Sequence, residues 1–106
     1  MRVITGTARG RVLRTLEGED VRPTTDRVKE AVFSIIQFEI EGRRVLDLFA
    51  GSGQLGIEAL SRGAASATFV DMSKDSLSAV KYNLEHTKLG DNAKVCLLYT
   101  SDAADD

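Results

Sequence analysis

Arg44-Val45-Leu46-Asp47-Leu48-Phe49-Ala50-Gly51-Ser52-Gly53-Gln54-Leu55-Gly56 changes character twice along its length. Val45, Leu46, Leu48 and Phe49 form an apolar run too continuous for a half-exposed strand, so the run predicts a strand buried on both faces. It breaks into glycines and restarts at Gln54 as a helix. A strand passing through a glycine turn into a helix N-terminus is the framework of a cofactor site. Glycines let the backbone approach a ligand closely, and the helix start supplies unpaired N–H groups.

The spacing Gly51-x-Gly53-x-x-Gly56 fits the dinucleotide fingerprint, and Asp71 follows about 20 residues after Gly51, as that fingerprint asks. Asp47 separates the readings. Dinucleotide strands run apolar up to the first glycine, because an anion there would sit near the pyrophosphate. A carboxylate suits a ligand with positive charge, and S-adenosylmethionine carries an ammonium and a sulfonium. Asp47-Leu48-Phe49-Ala50-Gly51-Ser52-Gly53 resembles motif I of the S-adenosylmethionine-dependent methyltransferases.

The rest of the chain supports an α/β reading. Arg2–Thr5 and Arg11–Arg14 predict two short strands joined through Gly6-Thr7-Ala8-Arg9-Gly10, a hairpin with an arginine near its tip. Residues 16–21 read as a loop. Pro23-Thr24-Thr25-Asp26 predicts a helix start, with a threonine cap, and the helix is expected to run to about Phe38. Val28, Val32, Ile35 and Ile36 are expected on its inward face. A helix over 54–62 ends at Arg62-Gly63, with Gly56 and Ala59 allowing close packing. Ala67–Val70 predicts a second buried strand, ending at Asp71. Ser73 caps a helix of about 74–88, with Leu77, Val80 and Leu84 inward and Gly90 stopping it. A third strand begins at Lys94-Val95. This alternation predicts a parallel sheet with Asp47, Gly51 and Asp71 converging at its C-terminal edge.

At 106 residues the chain allows at most one small domain. Hydrophobic content of 42% and charged content of 28% match a globular protein. No apolar run approaches the ~20 residues of a membrane helix, and no signal-peptide core is present, so a cytoplasmic location is expected. One cysteine excludes an internal disulfide, and with one histidine it gives too few ligands for a structural zinc site. Without Asp102, Asp105 and Asp106, the balance of 14 basic against 16 acidic residues becomes +1. Residues 1–29 carry +3, with Arg2, Arg9, Arg11, Arg14, Arg22, Arg27 and Lys29 against Glu17, Glu19, Asp20 and Asp26. That concentration of arginine suggests phosphate contact, although an ordinary solvated surface has the same charge pattern.

Further motifs flank the glycine turn. Arg22-Pro23-Thr24-Thr25-Asp26-Arg27-Val28-Lys29-Glu30-Ala31-Val32-Phe33 precedes it, and Gly56-x-Glu58-Ala59-Leu60-Ser61-Arg62-Gly63-Ala64 follows. With Met1-Arg2-Val3-Ile4-x-Gly6-x-x-Arg9-Gly10, they make residues 1–95 resemble the N-terminal half of the bacterial 16S ribosomal RNA guanine-N2 methyltransferases of the RsmD type. The resemblance implies a truncated Rossmann-like methyltransferase fold preceded by a β-hairpin and helix. Residues 1–43 would be that extension and 44–95 the first half of the cofactor domain. It implies S-adenosylmethionine held around Asp47, Phe49, Ala50, Gly51 and Gly53. Asp71 would bind the ribose hydroxyls and Met72 would lie against the adenine, unless Met72 is simply a core residue. Arg9, Arg11, Arg22, Thr24 and Arg27 would face ribosomal RNA or the mouth of the site, and capping of the helix by Thr24 or Thr25 is the alternative role, with which this one can coexist. Tyr82 and His86 read as surface residues. The partner implied is ribosomal RNA or the small subunit, and the complete protein is expected to be a monomer.

The family's base-positioning Asn/Asp-Pro-Pro-Tyr/Phe loop is absent, because Pro23 is the chain's one proline. No catalytic residue is therefore assigned, and the chain alone is expected to be inactive. Cys96–Asp106 departs abruptly from the family pattern and resembles an in-frame translation of a sequencing adapter, so 96–106 is expected to be a non-native tail. The competing readings are a nicotinamide dinucleotide-binding domain, a related DNA or protein methyltransferase, and a bare RNA-binding fragment.

Overall fold

A computed structural model describes residues 1–16 and 23–98, with the side chains of 23–26 outside that description. After an N-terminal arm come α1 (Pro23–Ile36), β1 (Arg44–Leu48), α2 (Gln54–Ser61), β2 (Ser66–Asp71), α3 (Lys74–Thr87) and β3 (Ala93–Leu97). The strands form a parallel sheet in the order β1-β2-β3. Leu46 pairs with Thr68 and Asp47 with Phe69, while Phe69 pairs in turn with Val95. Two right-handed crossovers advancing in one direction place α2 and α3 on the same face of the sheet. Phe69 is the centre of that covered face. It is fully buried, and a Cβ on Gly56 would stand 2.4 Å from its ring. Only glycine lets α2 lie this close to the sheet.

The arm is less regular than the predicted hairpin. Its two segments pair antiparallel through one bridge, Arg2 with Val12, supported by Val3 N–H to Arg11 at 3.0 Å and Leu13 N–H to Met1 at 2.7 Å. Side-chain bonds to the helices replace the missing ladder. The Glu58 carboxylate accepts from Ile4 N–H at 2.8 Å and Thr5 N–H at 3.0 Å. Ser61 Oγ accepts from Ala8 N–H at 3.0 Å and donates to the Thr5 carbonyl at 2.6 Å. Gly6 crosses α2 so closely that any Cβ would overlap the Ser61 carbonyl.

Three expectations are corrected. The inward face of α1 is Lys29 and Phe33, at 1% and 3% exposure, joined by the expected Ile36, partly buried against the core, whereas Val28, Val32 and Ile35 are exposed. Lys29 turns inward because its Nζ reaches the Arg2 carbonyl at 3.0 Å and Glu58 at 3.5 Å, which supplies the partner a buried ammonium needs. β1 is not buried on both faces, since Leu46 and Leu48, on the face away from α2, are 61% and 57% exposed. α3 stops at Thr87 with Lys88 left-handed (φ 62°), ahead of Gly90, which begins a short 3-10 turn. Ser73 caps α3 as expected, accepting from Ser76 N–H at 3.3 Å. Cys96 and Leu97 continue β3 in register with Val70 and Asp71. Among the described residues no helix is long and apolar enough to cross a membrane.

Candidate cofactor site

The chain leaves β1 through Phe49, whose φ of 56° is left-handed without being glycine. Such a conformation is costly and persists where the surroundings hold it. Here Ala50 N–H donates to the Val70 carbonyl at 3.0 Å, clamping the turn to the end of β2. Gly51 (φ 59°) and Gly53 (φ 85°) then reverse the chain into α2. A side chain on Gly53 would meet Val80 at 3.1 Å and Phe69 at 3.3 Å, so this glycine answers to packing beneath the turn. The expectation of ligand approach is thus too narrow for Gly53, while the close packing expected of Gly56 is observed.

Both acidic residues converge on the turn. Asp47 Oδ2 accepts from Gly56 N–H at 3.1 Å, filling the capping role that Gly53 has no side chain to perform. Asp71 Oδ2 accepts from Gly51 N–H at 3.0 Å, and its Oδ1 from Ser73 N–H at 2.9 Å. A carboxylate offers about four lone-pair sites, so Asp71 retains acceptor capacity for hydroxyl groups. Burial raises the Asp47 carboxyl from the ordinary 3.8 to about 6; the Gly56 bond opposes the rise and the negative charge of Asp71 adds to it. A cation arriving at this end of the sheet would relieve that cost. An anion would find the Gly56 amide already occupied. These carboxylate acceptors fit an ammonium- and hydroxyl-bearing cofactor better than a pyrophosphate.

The other predicted residues are placed as follows. Met72 and Phe49 are 53% and 69% exposed beside the turn, so Met72 is not a core methionine. Arg9 and Arg11 are exposed on the arm, and Arg27 is exposed on the first turns of α1. Arg22 and the side chain of Thr24 lie outside the described residues. Tyr82 and His86 are exposed on α3, with rings stacked at 5.9 Å and the Arg14 guanidinium 4.0 Å above Tyr82.

Sequence reasoning missed the polar residues that hold these parts together. Glu58, fully buried, joins Ile4, Thr5 and Lys29 to Arg62, whose Nε donates to it at 2.9 Å. Asn83, also fully buried, links Arg14 to Ser52. A signal existed in both cases. Glu58 stands between Ile57 and Ala59 in a helix of small and apolar residues, and Asn83 lies one turn from Val80 on the inward face of α3. Ser52 Oγ and Gln54 Nε2 are buried without a partner among the described residues.

Comparison with known proteins gives the family and the fold. Residues 1–105 match the family model described as Conserved hypothetical protein 95. The chain is 50% identical over 103 residues to the "Putative rRNA methyltransferase YlbH" of Bacillus subtilis, covering 97% of this chain and 54% of that protein. It is 45% identical over 95 residues to ribosomal RNA small subunit methyltransferase D of Escherichia coli, covering 90% and 48%. A solved structure, "Putative methyltransferase yhhF from Escherichia coli", superposes with a TM-score of 0.83 at 45% identity, covering 92% of this chain and 52% of that one. The chain spans about half the length of the curated relatives it matches. The strand, the glycine turn and the arm clasped to α2 all fall within the matched residues, and the chain belongs to the Conserved hypothetical protein 95 family, the RsmD-type ribosomal RNA methyltransferases.

Proposed function

We propose that this chain carries the cofactor half-site of an enzyme that moves a methyl group from S-adenosylmethionine to the N2 amine of a guanine in small-subunit ribosomal RNA. One observation carries the reading: both carboxylates, Asp47 and Asp71, are hydrogen-bonded to backbone amides of the glycine turn and its helix. The cofactor supplies an electrophilic methyl on sulfur when bound. In this reading the charge of Asp47 faces its ammonium end, and Ala50, Gly51 and Gly53 line the methionine portion. Asp71 accepts from the ribose hydroxyls, and Phe49 and Met72 flank the adenine. Arg9, Arg11, Arg22, Thr24 and Arg27 contact RNA, whose backbone favours arginine.

A guanine amine is a poor nucleophile, because its lone pair is delocalised into the ring. Transfer therefore requires the amine to be oriented in line with the methyl. The Pro-Pro loop that performs this in the family has no counterpart in these residues, so in our reading the chain binds cofactor but does not turn over alone. The complete enzyme acts as a cytoplasmic monomer on RNA or the assembled subunit.

Calorimetric titration of the chain with S-adenosylmethionine and with NAD tests the cofactor. S-adenosylmethionine should bind and NAD should not. Asp71→Ala should weaken binding by ~1.5–3 kcal/mol, the range for hydrogen bonds to a charged group. Preference for NAD would overturn the reading, and unchanged affinity would remove Asp71 from it. A methyl-transfer assay on small-subunit RNA tests the remainder. Turnover by this chain above background would refute its dependence on further sequence.

A further inference from the structure

We infer that Asn83 is a positioning residue that joins the glycine turn to the N-terminal arm, making the cofactor-binding and RNA-facing parts one mechanical unit. The RNA and cofactor roles of those parts rest on the function proposed above; the joint itself rests on geometry. Asn83 is fully buried on α3. Its Oδ1 accepts from Arg14 N–H at 2.7 Å, and its Nδ2 donates to the Arg14 carbonyl at 2.8 Å and the Ser52 carbonyl at 2.9 Å. One side-chain amide thus satisfies both backbone groups of Arg14, as a neighbouring strand would, and spends its second proton on the turn.

The chemistry is restrictive. The site needs one acceptor and two donors at the end of a short side chain, which asparagine supplies. Aspartate would place an unprotonated oxygen against two carbonyls, and serine could satisfy only part of the set. Ser52 lies between Gly51 and Gly53, both left-handed, and the peptide it shares with Gly53 is held on its N–H side by a bond to the Ala50 carbonyl at 2.9 Å. The bond from Asn83 holds the carbonyl side of the same peptide and ties it to α3. The neighbouring residue on α3, Tyr82, carries the Arg14 guanidinium on its ring at 4.0 Å, so α3 holds the end of the arm by backbone and side chain together. Beside the clasp of Glu58 and Ser61 on α2, the Asn83 amide is a direct link from the arm to the turn itself.

The joint is tested without any ligand by amide hydrogen exchange on the full chain. Asn83→Ser should speed exchange at Gly51, Gly53 and Arg14 by about tenfold, the loss of one net hydrogen bond, with protection across β2 unchanged. Unchanged exchange at the turn overturns the proposal, and so does uniform loss across the sheet, which would mark a generally structural residue. Its functional consequence is read by titrating S-adenosylmethionine with and without a saturating small-subunit RNA fragment. In the unaltered chain RNA should change cofactor affinity by about fivefold or more, a typical coupling, and in Asn83→Ser by less than about twofold. Equal coupling in both chains, or none in the unaltered chain when both ligands bind, overturns it. If S-adenosylmethionine fails to bind the unaltered chain, the proposed function fails and the exchange result still decides the role of Asn83.

Discussion

On one face of the sheet, Val45, Asp47, Ala67, Phe69, Ala93 and Val95 lie beneath α2 and α3; on the other, Leu46 and Leu48 stand 61% and 57% exposed. The same strands supply both faces, because neighbouring residues alternate across the pleat. The covered face carries the chemistry as well as the packing. Asp47 points into it and bonds the start of α2, while Glu58 and Asn83 bring the arm to the same side. The open face continues around the β1 edge to Phe49, Leu55 and the outward side of α1 at Val28, Val32 and Ile35, all exposed. A shallow apolar cleft of about 170 Å³ between α1, β1 and α2, lined by Phe33, Ile36, Val45 and Leu55 among others, opens at the margin of the covered face. Both faces carry apolar side chains. What differs is whether an element has been laid over them.

The sharpest way to break this contrast is Glu58→Ala. It leaves the Lys29 ammonium buried without its counter-charge and frees the amides of Ile4 and Thr5. Removing one partner of a buried pair costs about 3–5 kcal/mol, a large share of the stability of a chain this size. Urea unfolding should therefore shift strongly. A loss under about 1 kcal/mol would mean the arm is not held as described.

Asp47 gives a smaller effect with a distinctive pH dependence. Its folded value of about 6 lies above the ordinary 3.8, so across that interval the fold retains a proton that the unfolded chain has released. Its contribution to stability is full below the ordinary value and is lost as pH rises through about 6. Asp47→Asn keeps an oxygen for Gly56 N–H and removes the charge. It should stabilise the chain by ~1–3 kcal/mol at pH 7 and change little at pH 4, while weakening S-adenosylmethionine binding. Paired melting curves at the two pH values check the sign. A gain that persists at pH 4 would point to packing rather than ionisation.

The open face should respond least. Leu46→Thr and Leu48→Thr each move exposed side chains, and such changes stay within about 0.5 kcal/mol. A loss above about 2 kcal/mol in equilibrium unfolding would show that this face is covered in solution.

The same contrast explains what was legible in the sequence. The strand, the glycine turn, Asp71 at the end of β2 and the Ser73 cap were readable, because each rests on local pattern or turn chemistry. Lys29 and Glu58 were not, since their burial depends on each other across 29 residues and has no period. The inward face of α1 was misread for that reason: an apolar stripe signals a face to be covered, and here a lysine with a distant partner occupies the covered side. β1 was misread as doubly buried because a continuous apolar run states what a strand tolerates on each face. It does not state what these residues place there. Asp47 was recognised for its charge, while its bond to Gly56 required the helix to be in place.

The clasp on the arm also sets an order of events during synthesis. Ile4 finds its acceptor 54 residues later in Glu58, and Arg14 finds its partner 69 residues later in Asn83. At typical ribosomal speeds Arg14 precedes Asn83 by roughly 3–14 s, far longer than the microseconds a hairpin needs to form. With a single backbone bridge of its own, the arm has little to fold onto in that interval. The arm, made before the helices that hold it, is thus among the last of these segments to settle, and a basic, arginine-bearing stretch stays available to nascent-chain surroundings until α3 has been completed.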